Sequence, residues 1–182
     1  MMRRLVLVLM LCGLNVPTGA AELKALPPNT EPPPLALPDL HGREHTLAEY
    51  RGKVVLLNFW ASWCPPCVRE MPSMQRLNAA LKNRPFVIVT VNMDETREEI
   101  TAFLQKLKIH EFVVLMDRGG KVLQRWKVHV FPTSFVLDAD GKLRYAFAGA
   151  PEWDEGKVRK QIEGLIAEAA AKRKAATPAT KP

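Results

Sequence analysis

The sequence predicts an α/β fold in which helices flank a central mixed β-sheet. Three features predict it: apolar runs typical of buried strands, segments of helical periodicity between them, and an Asp140-Gly141 turn near the C-terminus. Strands joined through helices should be parallel, and the final hairpin should add antiparallel neighbours. A chain of 182 residues, of which 47% are hydrophobic, suits one globular domain with a substantial core.

Residues 1–21 have the layout of a secretory signal peptide. The basic start MMRR precedes the apolar run LVLVLMLCGL, and small residues suited to cleavage follow in NVPTGAAE. The apolar run is shorter than the roughly 20 residues that a membrane span needs. An uncleaved N-terminal anchor is the alternative. The sequence therefore predicts a periplasmic or otherwise extracytoplasmic protein.

The folded domain is predicted to span residues 35–171. Prolines in LKALPPNTEPPPLALPDL indicate an extended linker over residues 22–34. The tail KRKAATPATKP, residues 172–182, holds several of the cations behind the formal net charge of +7. A solvated, disordered tail explains these cations better than a nucleic-acid surface does.

The elements in the first half of the chain follow from short local patterns. LALPDLHGREHTLAEY predicts a hairpin that turns at His41-Gly42, followed by a helical turn. From Val54, VVLLNFW is an apolar run typical of a strand covered on both faces. CPPCVREMPSMQRLNAALKN then predicts a helix that kinks where Pro72 lacks an N–H group.

The second half continues the alternation of strands and helices. FVIVTVNM predicts a buried strand, and ETREEITAFLQKLKI predicts a helix with one apolar face. FVVLMD predicts a third strand, and GGKVLQRWKV predicts a short helix. TSFVLDADGKLRYAFAG predicts the final hairpin, and the amphipathic segment DEGKVRKQIEGLIAEAAAKRK predicts the last helix. The predicted order is β-α-β-α-β-α-β-β-α.

Cys64 and Cys67 are the only cysteines that remain once the signal peptide is removed. In an oxidising compartment they can form a disulfide bond. Closing so small a loop should stabilise the fold by only about 2 kcal/mol. A structural staple is therefore a poor explanation for the pair.

The position of the pair predicts reactive thiols. Cys64 falls at about the N-cap of a helix, where unpaired N–H groups and the helix dipole favour a thiolate, the nucleophile of disulfide exchange. Cys67, one helical turn later and more buried, can attack a mixed disulfide at Cys64. Pro65 suits the first helical position, while Pro66 removes an N–H group that could bond the Cys64 sulfur. Weaker thiolate stabilisation favours a reductant.

The stretches NFWASWCPPCVREMP and VFPTSFVLDADGK resemble the thioredoxin family, and most closely its extracytoplasmic TlpA/ResA-like branch. This branch includes the cytochrome c maturation thioredoxins. The similarity runs from about Leu35 to the C-terminal helix. It implies a thioredoxin-like fold with an N-terminal hairpin and an extra β-α insertion, formed by the helix within residues 95–108 and the apolar run after it.

The resemblance also implies roles for individual residues. Cys64 matches the nucleophile and Cys67 the resolving cysteine. Pro132 matches a cis-proline that lies against the disulfide and positions the substrate backbone. The residues expected to contact substrate are Trp63, Pro65, Pro66, Phe131 and Pro132.

The function implied by the resemblance is that of a protein-disulfide reductase. Its only redox group would be the Cys64–Cys67 disulfide, without a further cofactor or a metal. Its partners would be disulfide-containing proteins, apocytochrome c among them, and a membrane-embedded thiol transporter that supplies electrons. No nucleic-acid partner is expected.

The sequence departs from the family pattern at two places. Asn58 stands where many cytoplasmic thioredoxins have a buried aspartate that accepts a proton from the second cysteine. Glu70, three residues after Cys67, matches an acidic position of this branch and is the candidate for proton management. The alternative is an ordinary exposed helix glutamate. Val130 stands where relatives often have glycine, which affects the shape of the loop before Pro132.

Two other functions use the same cysteines. A disulfide-forming oxidase would employ Cys64 and Cys67 with the opposite redox poise. A Cu(I)-binding module would add sulfur ligands from Met71 and Met74. Methionines on a helix are more often core residues, and the histidine of many copper-delivery sites is missing beside the pair.

Overall fold

The computed structural model describes residues 21–176, and a mixed β-sheet forms its centre. The strands are β1 Lys24–Thr30, β2 Ala36–Pro38, β3 Glu44–Thr46, β4 Val54–Trp60, β5 Phe86–Met93, β6 Val113–Asp117, β7 Thr133–Leu137 and β8 Leu143–Ala148. The helices are α1 Pro65–Ala80, α2 Arg97–Leu107, α3 Lys121–Arg125 and α4 Gly156–Ala176, with a 3-10 turn at Leu47–Tyr50. The predicted order of strands and helices from Val54 onwards is confirmed.

The main sheet has six strands in the order β1-β8-β7-β4-β5-β6. Strands β4, β5 and β6 are parallel, because α1 and α2 return the chain to the same end of the sheet each time. Strand β7 lies on the other side of β4 and is antiparallel to it, as is β8 to β7. Strands β2 and β3 form the predicted N-terminal hairpin.

Strand β4 lies in the interior of the sheet, and all seven of its residues are buried. Its side chains alternate between two core layers. Val54 and Leu56 pack in the layer that includes residues of α1 and α4, whereas Val55 and Leu57 pack in the layer on the opposite face. Asn58 continues the first series, so its polar side chain is directed toward α1 and α4.

The segment 22–34 corrects the linker prediction. The chain there is extended, but β1 pairs antiparallel with β8 at the edge of the main sheet. An edge strand tolerates Pro27 and Pro28, because its outer N–H groups need no partner in the sheet. Leu23 is 2% exposed, and its backbone is held by the side chain of Gln161 at 2.9 and 3.1 Å. The segment therefore belongs to the folded unit.

The other end of the chain also contains more regular structure than predicted. Helix α4 continues to Ala176, so residues 172–176 of the predicted tail are helical. Residues 1–20, which hold nearly all of the predicted signal peptide, and 177–182 lie outside the described residues. Helix α1 runs from Pro65 to Ala80 through Pro72. No helix within residues 21–176 combines the length and the apolar character that crossing a membrane requires.

Candidate active site

Cys64 and Cys67 form a disulfide where β4 ends and α1 begins. Cys64 is the N-cap of α1, and its Sγ accepts a hydrogen bond from the backbone N–H of Cys67 at 3.3 Å. Prolines occupy the first two helical positions, so the N–H of Cys67 is the first that α1 can offer to that sulfur. Cys64 is 4% exposed and Cys67 0%, which confirms the predicted order of burial.

An apolar rim formed by Trp63, Val130 and Phe131 lies beside the disulfide. Trp63 is 61% exposed, and its ring meets that of Phe131 edge-on at a centroid distance of 6.0 Å. Phe131 packs against the cluster that contains both cysteines. The Phe131–Pro132 peptide bond is cis, as the resemblance implies, and Val130 beside it is 56% exposed. The structure thus brings Trp63 and Phe131 together next to the sulfurs.

Glu70 is buried on the inner face of α1, one helical turn after Cys67. It is 2% exposed, which excludes the alternative of an ordinary exposed glutamate. Its Oε1 accepts a hydrogen bond from Asn58 Nδ2, and its Oε2 accepts one from Trp153 Nε1, each at 2.8 Å. Burial raises the pKa of this carboxyl from its ordinary 4.5 to about 7, although the two hydrogen bonds act in the opposite direction. The carboxyl can therefore take up or release a proton near neutral pH.

Asn58 and two serines extend this polar cluster. Asn58 Nδ2 also donates to Ser134 Oγ at 2.9 Å. Ser73 Oγ donates to the Glu70 carbonyl at 2.8 Å and accepts the backbone N–H of Trp153 at 3.2 Å. Sequence reasoning did not find Ser134 or Trp153, because they lie 76 and 83 positions from their partners Asn58 and Glu70. No local pattern marks either residue.

A second cluster that the sequence did not reveal holds the loop before Cys64. The carboxylate of Glu95 accepts the backbone N–H of Ser62 at 2.7 Å and also bonds the Ser62 hydroxyl. Asn92 Nδ2 donates to the same carboxylate at 2.6 Å. Trp60, at the end of β4, is fully buried and packs on Phe103 of α2 at a centroid distance of 5.2 Å. The loop is therefore anchored to the β5–α2 region on both sides of Ala61.

The sulfur atoms near the disulfide belong to apolar clusters. Met71 is 1% exposed and packs with the cysteines, while Met74 is 0% exposed and packs in the α1–α4 core layer. Within residues 21–176, no group of three or more His, Cys, Asp or Glu side chains is arranged to hold a metal ion. The methionines accordingly have the surroundings of core residues.

The chain that carries this site is similar to known proteins. The Redoxin family model matches residues 21–162. The chain belongs to the Redoxin family. The thiol-disulfide oxidoreductase ResA of Geobacillus thermodenitrificans (strain NG80-2) is 36% identical over 167 residues, which are 90% of this chain and 94% of that protein.

Solved structures of similar proteins have the same fold. A candidate thiol:disulfide interchange protein DsbE from Chlorobium tepidum is 31% identical, with a TM-score of 0.67 over 81% of this chain and 99% of that one. A secreted disulfide oxidoreductase of Mycobacterium tuberculosis, homologous to E. coli DsbE, is 25% identical, with a TM-score of 0.58 over 74% and 95% of the two chains. The predicted thioredoxin-like fold is confirmed. Thiol-disulfide exchange is the activity that this Redoxin-family chain carries.

Proposed function

We propose that this Redoxin-family protein reduces disulfide bonds of partner proteins outside the cytoplasm, with Cys64 as nucleophile and Cys67 as resolving cysteine. The observation that carries the proposal is the position of Cys64 at the N-cap of α1, with its sulfur bonded by the Cys67 N–H. The helix dipole and that N–H stabilise a thiolate at Cys64. Cys67 is more buried and serves the second step.

The proposed reaction has two exchange steps. The Cys64 thiolate attacks one sulfur of a substrate disulfide, forms a mixed disulfide and releases the other substrate sulfur as a thiolate. Cys67 then attacks Cys64 Sγ, the Cys64–Cys67 disulfide forms, and the second substrate sulfur leaves as a thiolate. Two electrons pass from the enzyme dithiol to the substrate. No cofactor beyond the cysteine pair takes part.

The proline pair supports the reducing direction. Pro65 and Pro66 carry no N–H groups, so the N-terminus of α1 gives the Cys64 thiolate fewer donors than a helix normally has. A less stabilised thiolate makes the dithiol form less favourable and the protein a stronger reductant. The disulfide-forming oxidase is the competing direction and requires a more stabilised thiolate.

Glu70 is the proposed proton acceptor for Cys67. It lies one helical turn after this cysteine, is buried, and has a pKa near 7. A group with that pKa can take the thiol proton and return it at neutral pH. Asn58, which replaces the usual aspartate, cannot do so, but it holds the Glu70 carboxyl in place.

The proposed substrates are exposed protein disulfides, including that of apocytochrome c, and a membrane-embedded thiol transporter is the proposed electron donor. The apolar rim of Trp63, Val130 and Phe131 suits an unfolded or extended segment around a disulfide. The leader-like residues 1–21 and the secreted Mycobacterium tuberculosis relative support an extracytoplasmic location.

The reduction potential of the purified protein tests the direction. The protein is equilibrated in glutathione and dithiothreitol buffers, and its tryptophan fluorescence is measured. The fluorescence reports the redox state of the Cys64–Cys67 pair because Trp63 lies beside it. A value near that of thioredoxin, about −270 mV, supports a reductant, and one near that of DsbA, about −120 mV, makes the protein a disulfide donor. The double variant Cys64→Ser/Cys67→Ser is the control and should show no redox transition.

A further inference from the structure

The buried side-chain amide of Asn58 forms hydrogen bonds through its nitrogen but not through its oxygen, among the described residues. Its Nδ2 donates to Glu70 Oε1 at 2.8 Å and to Ser134 Oγ at 2.9 Å. Its Oδ1 has no hydrogen-bond partner among the described residues, although the residue is 0% exposed. Buried polar atoms are nearly always bonded, so an unpaired amide oxygen beside a titratable group needs a physical reason.

The described contacts of the Glu70 carboxyl are all with donors. Asn58 Nδ2 reaches one oxygen, and Trp153 Nε1 reaches the other. This set suits an ionised carboxylate, which only accepts hydrogen bonds. A protonated carboxyl instead carries an O–H group that requires an acceptor. Neither the amide nitrogen nor the indole nitrogen can accept.

Reversal of the Asn58 amide would supply the missing acceptor. A half-turn about its last side-chain bond exchanges the positions of Oδ1 and Nδ2. Oδ1 would then accept the O–H of Glu70 and also that of Ser134, because a serine hydroxyl either donates or accepts. Each orientation leaves one end of the amide unbonded, so neither orientation is locked by its surroundings.

We propose that Asn58 is a positioning residue whose side-chain amide reverses when Glu70 takes up a proton. One side chain then stabilises both protonation states of the carboxyl. The amide donates to the carboxylate and accepts from the carboxylic acid. An aspartate at this position could not alternate in this way, because an ionised carboxylate has no donor.

The inference rests on the proposed function, in which Glu70 receives the Cys67 proton. When Cys67 attacks Cys64 Sγ, its S–H proton passes to the Glu70 carboxylate. The bond between the two cysteine sulfurs forms, and the substrate sulfur leaves with the electron pair of the broken mixed disulfide. Asn58 then accepts the new O–H. Reduction of the enzyme disulfide by an incoming dithiol returns the proton to Cys67 and the amide to its first orientation.

Few other groups around Glu70 could produce a pH response of the Asn58 amide. On α1 the other titratable group nearby is Cys67, which is held in the disulfide of the oxidised protein. The flanking charges are directed elsewhere, because Arg69 is exposed and Arg76 pairs with Asp154 at 2.6 Å. The remaining neighbours are uncharged at neutral pH, namely Ser134 on β7, Ser73 on α1 and Trp153 before α4.

Side-chain NMR of the oxidised, isotopically labelled protein tests the reversal directly. The Glu70 Cδ signal and the Asn58 Nδ2 signals are followed from about pH 5 to about pH 9. We expect both to titrate with one shared midpoint, and the hydrogen bond from Nδ2 to the carboxylate should disappear on the acid side. Asn58 signals that stay constant while Glu70 titrates would overturn the inference.

Asn92 is a matched internal control. It is equally buried, but its Nδ2 donates to Glu95 at 2.6 Å and its Oδ1 accepts the Glu95 N–H at 3.3 Å. Both ends of that amide are bonded, so its signals should not follow the Glu70 midpoint. A shared midpoint at Asn92 would mean that the response is general and not a reversal of Asn58.

The variant Glu70→Gln gives a second, independent test. Trp153 Nε1 still donates to the side-chain oxygen, so the new Nε2 faces Asn58 and requires an acceptor. The Asn58 amide should therefore be reversed at every pH, and its titration should vanish. If the Asn58 signals still titrate in this variant, the proposal is wrong.

Insulin reduction by the same wild-type sample separates this inference from the proposed function. If the protein does not reduce insulin, the proposed function is wrong. The NMR titration tests the amide reversal whether or not insulin is reduced. Asn58→Leu removes the hydrogen bonds that Asn58 makes to both protonation states of Glu70. The bond donated to the charged carboxylate is the stronger of the two. Its loss should therefore raise the pKa of Glu70 and shift the activity–pH profile to higher pH. An unshifted profile in a folded Asn58→Leu protein would count against a positioning role.

Discussion

The indole Nε1 of Trp153 donates a hydrogen bond to Glu70 Oε2 at 2.8 Å, across 83 positions of the chain. Trp153 is 0% exposed and also packs in the core layer between the sheet and the last helix. The contact therefore connects the core to Glu70, whose buried carboxyl lies one helical turn from Cys67. It makes the proton affinity of Glu70 sensitive to core packing.

Replacement of Trp153 by Phe should raise the pKa of Glu70 further. The aromatic packing is largely retained, but the hydrogen bond that stabilises the carboxylate is lost. The measurement is the pH titration of the Glu70 carboxyl carbon by NMR. Trp126→Phe is the matched control, because the Trp126 indole is also buried and its N–H has no partner among residues 21–176. An equal shift in both variants would contradict the expectation.

The stability of the oxidised protein should fall with pH relative to Glu70→Gln. Because burial raises the pKa of Glu70 from 4.5 to about 7, its contribution to stability is fully present below 4.5 and is lost as pH rises through 7. The loss should reach about 3 kcal/mol at most. Urea unfolding at several pH values measures this loss of stability. The variant Glu98→Gln, at an exposed position, is the control for the loss of one negative charge. A pH-independent difference between wild type and Glu70→Gln would contradict the assigned pKa.

The two cysteine variants should fail at different steps. Cys64→Ser should abolish insulin reduction, because it removes the nucleophile of the first exchange. Cys67→Ser should instead accumulate mixed disulfides between Cys64 and partner proteins. Non-reducing electrophoresis with mass spectrometry identifies the trapped partners. Substantial turnover by Cys64→Ser, or no adduct with Cys67→Ser, would contradict the assigned roles.

Glu95→Ala should impair thiol-disulfide exchange although both cysteines are retained. The change leaves the Ser62 N–H and the Asn92 side chain without their acceptor and should destabilise the protein by about 1–3 kcal/mol. Displacement of the loop before Cys64 should lower kcat/KM by about 10-fold to 100-fold. The control is Glu98→Ala, at an exposed position in the first turn of α2, the helix that begins just after Glu95. Equal rates for the two variants would show that the loop keeps its position without Glu95.

Leu23→Ala should destabilise the protein by about 2–5 kcal/mol, as expected for a buried leucine in a core layer. Chemical denaturation of the purified variant measures the free energy of unfolding. Lys24→Ala, at the exposed neighbouring position, should have little effect. If Leu23→Ala is equally harmless, residues 22–34 behave as the linker that the sequence predicts.

The sequence by itself determined the elements from Val54 onwards and the chemistry of the cysteine pair. Apolar runs and helical periodicity are local, so the order of strands and helices from Val54 to α4 could be read directly. The position of Cys64 at a strand–helix junction is also local, because the N-cap, Pro65 and Cys67 lie within one helical turn. The pair could therefore be recognised as reactive before its surroundings were known.

Only the tertiary structure decided the surroundings of the pair. The contacts of Glu70 with Asn58 and Trp153, and of Ser62 with Glu95, join residues that lie in different elements or loops, 12, 83 and 33 positions apart. Such contacts leave no periodic signal in the sequence. Burial by these elements changes Glu70 from an ordinary helix glutamate into a carboxyl that titrates near pH 7.

The tertiary structure also decided the role of the proline-rich segment 22–34. An extended chain has the same local pattern in solvent as at a sheet edge, and only pairing with β8 distinguishes the two.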